Sequence, residues 1–357
     1  MTRTTPTRDP LLSPAAMRQT ADFIAGCQAA DGQIPWFPGG HTDPWDHVEA
    51  AMGLDVAGRH AQARRAYEWL RAVQNSDGSW YHSYRGDDVV DRTREANFAA
   101  YLAVGLWHHF RSTGDAAFLD RMWPTLEAAV AFVLTLQQPG GQIGWAHGAG
   151  GEALLTGCAS MHHSLACALA IANERGAPQP DWELAAATLG HAVAEHPERF
   201  SPRDRYSMDW YYPVLGGALR GAAGLARIDR EWDRFVVPGL GARCVSDRPW
   251  VTVAETCELV LALCCVGDTD RAVDLFAAIQ RMRLDDGSYW TGYVYPDDTM
   301  WPQERTTWSA AAVLLGSAMI AGEPATTATF ATVPELMGGR DRPSAVCDFA
   351  ACPAQLT

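Results

Sequence analysis

A recurring turn segment between amphipathic stretches is the feature that most constrains how this chain can fold. The segments occupy residues 27–36, 74–80, 137–145, 205–210, 246–250 and 285–290. They are short turns, several of them rich in Gly, Asp or Gln, and they close on Trp36, Trp80, Trp145, Trp210, Trp250 and Trp290. Successive closing tryptophans lie 40 to 65 residues apart, which is long enough for two helices and their loops. The spacing therefore predicts a repeated helix pair.

The text between the turn segments has apolar residues at three- and four-residue spacing, which is typical of amphipathic helices. The predicted helices are 16–30, 47–58, 61–74, 96–112, 116–137, 160–175, 181–195, 213–228, 252–266, 269–283 and 306–321, with a weaker helix at 229–237. Strand signals are sparse. Six helix pairs with long aromatic loops on one face predict an all-α chain folded as an (α/α)6 toroid.

No Pro/Ser-rich linker divides the chain, so a single catalytic domain is expected over residues 1–357, with peripheral tails at 1–14 and 323–357. Acidic residues number 42 against 28 basic ones, for a net charge of −14. Such a surface repels phosphate backbones and argues against a nucleic-acid partner. All the basic residues are Arg, and the absence of Lys excludes a Walker-type loop and a Schiff-base mechanism.

The cysteines and the amino-terminal sequence favour a cytoplasmic protein. The nine cysteines include no CxxC pair, so free thiols in a reducing compartment are expected rather than a disulfide framework. The first residues lack the apolar core of a signal peptide. No run of about 18 apolar residues indicates a membrane span.

The segment 41–49 (HTDPWDHVE) is the richest in candidate chemistry. Asp43, Asp46 and Glu49 crowd one turn at the start of a helix, with Trp45 and His47 between them. A lone aspartate such as Asp46 at this junction would be interpreted as a helix cap. Three carboxylates and an indole in one turn favour a functional site instead.

A second acidic pair lies in apolar text at residues 250–260. Glu255 follows Trp250 by five residues, and Glu258 lies one helical turn later. A glutamate in such a setting is either paired with a buried arginine or has a raised pKa suited to acid–base chemistry. Glu255 is the first candidate because it lies nearer the loop, and Glu258 is its rival.

A third acidic group, DDVVD, occurs within residues 84–97. It matches the DDxxD magnesium motif of prenyl transferases and terpene synthases, but no partner motif is present. Arg92 and Arg94 follow at once, so local ion pairing is the expected fate of these aspartates. Glu95 and Asn97, at the entrance to a helix, are candidates for binding a sugar hydroxyl.

Aromatic residues beside carboxylates in the loops predict a surface on which sugar rings stack, because Trp and Tyr combine a flat apolar face with a polar edge. No HExxH or other zinc spacing is present, so neither a catalytic metal nor another cofactor is expected. The remaining candidate substrate-binding residues are Trp36, Trp80, Tyr81, Trp145, His147, Asp209, Trp210, Tyr211, Tyr212, Trp250, Trp290, Tyr293, Glu304 and Trp308.

Two families share motifs with the chain. The QxxDGxW turns look like those of squalene cyclases and protein prenyltransferases, but the DxDD acid motif of class II cyclases does not occur. The stretches DPWDHVEAAMGL, DRYSMDWYYPVLGGALRG, CVSDRPWVTVAETCELVLAL and DGSYWTGYVYPDD, which span residues 43–298, resemble actinobacterial (α/α)6 glycoside hydrolases. The resemblance is greatest to mycobacterial endo-α-mannosidases that cleave methylmannose polysaccharide. It implies that Asp46 and Glu255 are the catalytic pair.

The leading hypothesis is an endo-acting glycoside hydrolase that cleaves an α-1,4-linked (methyl)mannose oligosaccharide or polysaccharide. Asp46 and Glu255 come from distant repeats, which leaves room for a water and predicts inversion, with carboxyl groups roughly 6.5–9.5 Å apart. Asp46 would be the acid and Glu255 the base, although the sequence also allows the reverse. The alternatives are a terpene-cyclase or prenyltransferase-like enzyme acting on an isoprenoid, and a non-catalytic toroid that binds glycans or lipids.

Overall fold

Fourteen helices make up most of the computed structural model, which describes residues 12–333. In chain order they are α1 (Pro14–Cys27), α2 (Pro44–Val56), α3 (His60–Val73), α4 (Ala96–Ala100), α5 (Leu102–Thr113), α6 (Ala116–Leu134), α7 (Leu155–Glu174), α8 (Pro180–Glu195), α9 (Ser207–Leu215), α10 (Gly221–Phe235), α11 (Val253–Cys265), α12 (Thr269–Ile279), α13 (Thr307–Ile320) and α14 (Pro324–Thr327).

Six of these helices form a closed inner ring. Helices α2, α5, α7, α9, α11 and α13 each pack against the next, and α13 returns to α2. Helices α1, α3, α6, α8, α10 and α12 pack against the outside of this ring. The inner helices are buried on nearly all sides, and every residue of α13 is buried. The predicted (α/α)6 toroid is confirmed.

Helix α7 is long and apolar enough to cross a membrane by length and composition, but 83% of its apolar window is buried inside the structure. Its burial follows from its place in the inner ring, where most of its residues pack against neighbouring helices. It is therefore the core helix of a toroid. No other helix within residues 12–333 has both the length and the apolarity of a membrane span.

Most predicted helices agree with the structure to within a few residues, but the predicted helix 213–228 is wrong. The helix is interrupted there: α9 ends at Leu215, Gly216 and Gly217 follow, and α10 begins at Gly221. Gly217 has a φ of 83°, a conformation that favours glycine. A Cβ on Gly216 would lie 2.2 Å from the carbonyl oxygen of Ala159, so the break also allows close packing on α7. The weaker helix predicted at 229–237 is the second half of α10.

The expected tail at 323–357 begins as packed structure. Helix α14 and a π-helix at Ala328–Thr332 follow α13, and Phe330 is buried against the ring of His163. Burial of this aromatic side chain explains why residues 323–333 are ordered on the core. The remainder of both expected tails, residues 1–11 and 334–357, lies outside the described residues.

Short strands, which the sequence did not indicate, occur in the segments between the helices. A hairpin pairs β1 (Ser83–Arg85) with β2 (Asp88–Asp91). An antiparallel sheet in the order β3 to β7 contains Val236–Val237, Gly241–Arg243, Trp250–Thr252, Gly292–Val294 and Thr299–Met300. Strands of two to four residues are too short to show alternating apolar residues, which explains why they were missed.

Backbone hydrogen bonds join the start of most inner helices to a neighbouring repeat. The first amide of α4 (Ala96), the short helix that leads directly into the inner helix α5, donates to the carbonyl oxygen of Trp145 at 2.9 Å, and that of α9 (Ser207) donates to the carbonyl oxygen of Cys244 at 2.9 Å. The first amide of α11 donates to Thr291 at 3.0 Å, and that of α13 donates to Trp36 at 2.8 Å. These links satisfy amides that have no partner within their own helix. They also hold the amino-terminal ends of the inner helices together at one face.

The turn segments themselves connect neighbouring outer helices. The side-chain amide of Gln74 donates to Gly78 within its own turn and to Thr125 of α6. Gln28 and Gln137 make the equivalent pair of bonds in their repeats, reaching Gln62 of α3 and Ala185 of α8. The repeat that identified the fold is therefore structural.

Substituting Gly78 tests this structural role. Gly78 has a φ of 88°, and a Cβ there would lie 2.0 Å from the backbone oxygen of Ala128. Gly58 has a similar φ of 73° but open space around it. We expect Gly58→Ala to cost about 1–2 kcal/mol of unfolding free energy and Gly78→Ala about 3 kcal/mol or more, because crowding adds to backbone strain. Urea unfolding of both variants measures the difference, and equal losses would contradict the close-packing role.

Candidate active site

The first two turns of helices α2 and α11 each carry two carboxylates, one at the amino-terminal end and one a turn deeper. Asp46 and Glu49 lie on α2, and Glu255 and Glu258 lie on α11. Asp46 and Glu255 occupy the same position, the third residue of their helix. With Asp43, which precedes α2, these residues form the carboxylate cluster. All five are at least 95% buried.

Asp43, and not Asp46, caps helix α2. The Asp43 carboxylate accepts a hydrogen bond from the backbone amide of Asp46 at 2.9 Å. This is the usual geometry of a helix N-cap. The Asp46 carboxyl group is therefore free of the capping role that a lone aspartate would have.

Three tyrosines hold the deeper pair of carboxylates. Tyr212 donates its hydroxyl to Glu258 at 2.7 Å, and Tyr211 donates to the other oxygen of the same carboxylate. Tyr101 donates to Glu49 at 3.3 Å. Tyr211 and Tyr212 belong to α9, and Tyr101 immediately precedes α5. The carboxylates and their tyrosine partners therefore come from four inner helices of the toroid or from residues next to them: α2, α5, α9 and α11.

Electrostatic interactions join the two acidic pairs into one site. Burial raises the pKa of Asp46 well above its usual range, and the neighbouring Asp43, Glu49 and Glu258 carboxylates raise it further. Burial and Glu49 likewise raise the pKa of Glu258, on which Glu255 also acts. Glu258 therefore interacts with both Asp46 and Glu255. The raised pKa favours the protonated form of Asp46, which is the form that a general acid needs.

Burial raises the pKa of Glu49 from 4.5 to about 8, against the opposing effect of the Tyr101 and Trp308 side chains. The folded state thus binds this proton more tightly than the unfolded state. The resulting stability is fully present below pH 4.5 and is lost as the pH rises through 8.

We expect the free energy of unfolding to fall between pH 5 and pH 9, and to fall less steeply in Glu49→Gln, which cannot ionise. Urea titrations across this range measure the slope. Glu183→Gln, at an exposed position in the first turn of α8, is the matched control and should keep the wild-type slope. A Glu49→Gln variant with the wild-type slope would contradict the assignment.

Aromatic rings adjoin the carboxylate cluster on the α2 side. Trp45 lies 4.9 Å from Tyr101 and 5.8 Å from Trp308, measured between ring centroids, and Trp36 lies 5.9 Å from Trp308. The buried indole nitrogens of Trp36 and Trp45 have no hydrogen-bond partner within residues 12–333, and the same is true of one oxygen of Glu49. Buried donors and acceptors without partners are available to a ligand.

Several predicted substrate-binding residues make contacts within the fold. The Trp80 indole donates to Leu70 at 2.8 Å and is buried, and Trp210 is buried in a stack on Phe235. Tyr293 donates its hydroxyl to Asp298 at 2.8 Å. The indole N–H of Trp80 and the hydroxyl of Tyr293 are thus already bonded within the protein.

His47 and Asp209 also serve the fold. His47 accepts the Ile34 amide at 3.1 Å and lies 2.9 Å from the carbonyl oxygen of Ala66, to which it donates. Asp209 accepts the backbone amide of Thr156 at 3.1 Å and so anchors the start of α7. Burial raises the pKa of Asp209, and the bonds from Thr156 oppose that rise.

The candidates on α4 and its flanking loop fall into two groups. Glu95 pairs with His82 at 2.7 Å, and the Asn97 side-chain oxygen is buried with no partner in the described part of the chain. His147 is exposed and accepts a hydrogen bond from Arg94 at 2.7 Å. Asn97 therefore remains a candidate for substrate binding, whereas His147 forms part of the outer surface.

The DDVVD segment lies on the exposed hairpin and not on a helix that faces a cavity. Asp88 and Asp91 bound strand β2. The ion pairs expected with Arg92 and Arg94 do not form within residues 12–333, since Arg94 pairs with Asp77 and Arg92 lies over the ring of Tyr81. This placement gives no support to a magnesium motif.

The remaining candidate substrate-binding residues are partly buried: Tyr81, Trp145, Trp250, Trp290 and Glu304.

Two residues near these candidates were missed. Trp250 donates its indole N–H to Trp301 at 2.7 Å, and the Trp301 ring is 52% exposed beside it. Tyr101 contacts both Glu49 and Trp45. The signal for Tyr101 was its position one helical turn after Asn97.

Comparisons with known proteins agree with this architecture. Solved structures with the same fold include a glycosidase, with a TM-score of 0.69 and 16% identity over 86% of this chain and 96% of that one. A bacterial glucoamylase complexed with acarbose has a TM-score of 0.66 and 12% identity, over 90% of this chain and 57% of that one. No model of a known protein family matches the chain.

A curated relative is far more similar. The MMP endo-(1,4)-3-O-methyl-alpha-D-mannosidase of Mycolicibacterium hassiacum is 58% identical over 310 residues, which is 86% of this chain and 86% of the relative. Identity at this level over most of both chains removes the isoprenoid-enzyme and non-catalytic alternatives. The chain is a glycoside hydrolase and belongs to the family of this mycobacterial endo-mannosidase.

Proposed function

We propose that the chain cleaves internal α-1,4 linkages in a polysaccharide of O-methylated mannose, with inversion, through Asp46 and Glu255. The observation that carries the proposal is the position of these residues at equivalent places on two inner helices, within one buried carboxylate cluster. The activity printed for the mycobacterial relative supports the substrate class.

In this mechanism Asp46 is the general acid. Its raised pKa favours the protonated carboxyl, which donates a proton to the glycosidic oxygen as the bond to the anomeric carbon breaks. Asp43 provides the helix cap, which leaves the Asp46 carboxyl available for this transfer.

Glu255 is the general base. It removes a proton from a water molecule whose oxygen attacks the anomeric carbon from the face opposite the leaving group. Glu258 lies one turn deeper and is held by Tyr211 and Tyr212. We assign Glu258 the role of fixing the electrostatic environment of both reacting carboxyls, rather than that of reacting itself.

The aromatic wall suits a methylated sugar. Trp36, Trp45 and Trp308 together present apolar faces beside indole N–H groups. An O-methyl group adds apolar surface to a sugar that retains its other hydroxyls, so it matches such a wall better than a free sugar does.

Product analysis tests the proposal. The purified protein should release oligosaccharides of intermediate length from a 3-O-methylmannose polysaccharide, because an endo-enzyme cuts within the chain. The unmethylated α-1,4-linked mannan is the matched comparison and should be cleaved more slowly. Failure to cleave any α-mannoside, or release of single sugars only, would overturn the proposal.

We further propose that the protein works in a reducing, cytoplasmic compartment and without nucleic acid. The seven cysteines within residues 12–333 are free thiols. The net charge of −14 disfavours a polyanionic partner. Fractionation of cells that produce the protein tests the location, and recovery in the secreted fraction would contradict it.

A further inference from the structure

A cavity of about 470 Å³ opens at the face where the inner helices α7 and α9 begin. Its wall includes Leu155 and Asp209, from the first turns of α7 and α9, and the loop that joins α8 to α9. Its opposite wall is the second half of the outer helix α10. No residue of the carboxylate cluster lines it, so it is a separate site on the same face.

The charges that line this cavity are balanced. Four arginines face four acidic residues around it, namely Arg203, Arg227, Arg230 and Arg234 with Glu198, Asp204, Asp209 and Glu231. Several are already paired: Arg234 bonds Asp204 at 3.2 Å and Glu231 at 3.1 Å. A lining with equal numbers of both charges attracts neither an anion nor a cation strongly.

The floor of the cavity is apolar. It is formed by Phe200, Trp210 and Phe235, which are nearly fully buried side chains of the lining. Arg230 is exposed at the rim and forms no ion pair with the residues that the structure describes. An apolar floor beneath paired guanidinium and carboxylate groups suits an uncharged polyol that carries apolar substituents, because planar donors and acceptors can bond vicinal hydroxyls.

Helix α9 connects this cavity to the carboxylate cluster. Asp209 and Trp210 line the cavity, whereas the next two residues, Tyr211 and Tyr212, hold Glu258. Both sites therefore use residues of the same short helix, α9. A linear polysaccharide that extends along α9 from the cluster would enter the cavity.

We propose that this cavity, the rim subsite, binds the distal sugars of a long substrate chain and makes the enzyme prefer long chains over short ones. The proposal rests on the proposed function for the identity of the polymer. The balanced lining, the apolar floor and the connection through α9 argue for a neutral methylated sugar as the occupant.

Kinetics with substrates of two lengths test the rim subsite. Arg230→Ala removes a donor from the rim, and Ser201→Trp fills the cavity from its loop. We expect both variants to raise KM for the full-length methylmannose polysaccharide about tenfold, which equals the loss of one to two good hydrogen bonds. Neither should change kcat/KM for a dinitrophenyl glycoside of a single methylmannose, because one sugar cannot occupy both sites.

Arg18→Ala is the matched control, because Arg18 is an exposed arginine on the outer helix α1 and lines none of this cavity. It should leave both substrates unaffected. Equal effects of Arg230→Ala and Arg18→Ala, or equal effects on both chain lengths, would overturn the proposal.

A binding measurement with inorganic phosphate tests whether the cavity binds anions instead of neutral sugars. Saturable phosphate binding to wild type that Arg230→Ala abolishes would show an anion site and overturn the neutral-sugar assignment. Wild-type protein that cleaves neither substrate refutes the proposed function. In that case, titration of the uncleaved polysaccharide into wild type and Arg230→Ala still tests the rim subsite, and equal affinities refute it.

Discussion

Replacing Glu255 by Gln should lower kcat on the methylmannose polysaccharide by about 10²- to 10⁴-fold, the usual contribution of a general base. The amide cannot accept the proton of the attacking water, yet it has nearly the same shape as the carboxylate. Binding of the polysaccharide should therefore change little. Steady-state kinetics give kcat, and calorimetric titration of the variant gives the affinity.

Glu183→Gln is the matched control for this substitution, since it makes the same chemical change at an exposed position on α8. It should retain full activity. A Glu255→Gln variant with more than half of the wild-type kcat would remove Glu255 from the reaction and leave Glu258 as the candidate on α11.

Replacing Asp46 by Asn should have an effect that depends on the leaving group. Cleavage of the natural glycosidic bond needs a proton on the departing oxygen, so kcat should fall by about 10²- to 10⁴-fold. A dinitrophenyl glycoside of the same sugar departs without protonation. Its hydrolysis by Asp46→Asn should fall about tenfold or less.

The comparison of both variants on both substrates assigns the two roles. Glu255→Gln should remain slow on the dinitrophenyl glycoside, because attack by water still needs a base. Rescue of Glu255→Gln instead of Asp46→Asn by the activated substrate would reverse the assignment of acid and base. The helix should persist in Asp46→Asn, since Asp43 provides the cap.

The periodicity of apolar residues predicted the toroid well because its helices are long and the repeat recurs six times. The predictions were wrong where tertiary contacts determine the local structure. The break between α9 and α10 depends on the close approach of Gly216 to the carbonyl of Ala159, which comes from a different helix. No local pattern encodes such a distance.

The closing tryptophans of the repeat were misleading for a related reason. The equivalent buried position is the second residue after the turn glycine, occupied by Ile34, Trp80, Ile143 and Tyr289. Trp80 therefore anchors its turn, whereas Trp36 and Trp145 extend past the anchor. Spacing from the glycine distinguishes these roles, but residue type alone does not.

The carboxylates of the candidate site could be recognised from sequence because acidic residues in apolar helical text are costly and therefore rare. Their grouping into one cluster could not be recognised. Asp46 and Glu258 are brought within electrostatic range by closure of the ring between α11, α13 and α2. The tyrosines that hold the deeper pair come from other repeats, and only packing shows which carboxylate each one contacts.

Proton NMR of the first sugar anomer that the enzyme releases tests the central claim most directly. Attack by water on the face opposite the leaving group must turn an α-linkage into a β-anomer. We therefore predict that the β-anomer signal appears first and that the α-anomer grows in later by mutarotation. An α-anomer as the first product would show retention and contradict the assignment of Asp46 and Glu255 as the acid and base of an inverting enzyme.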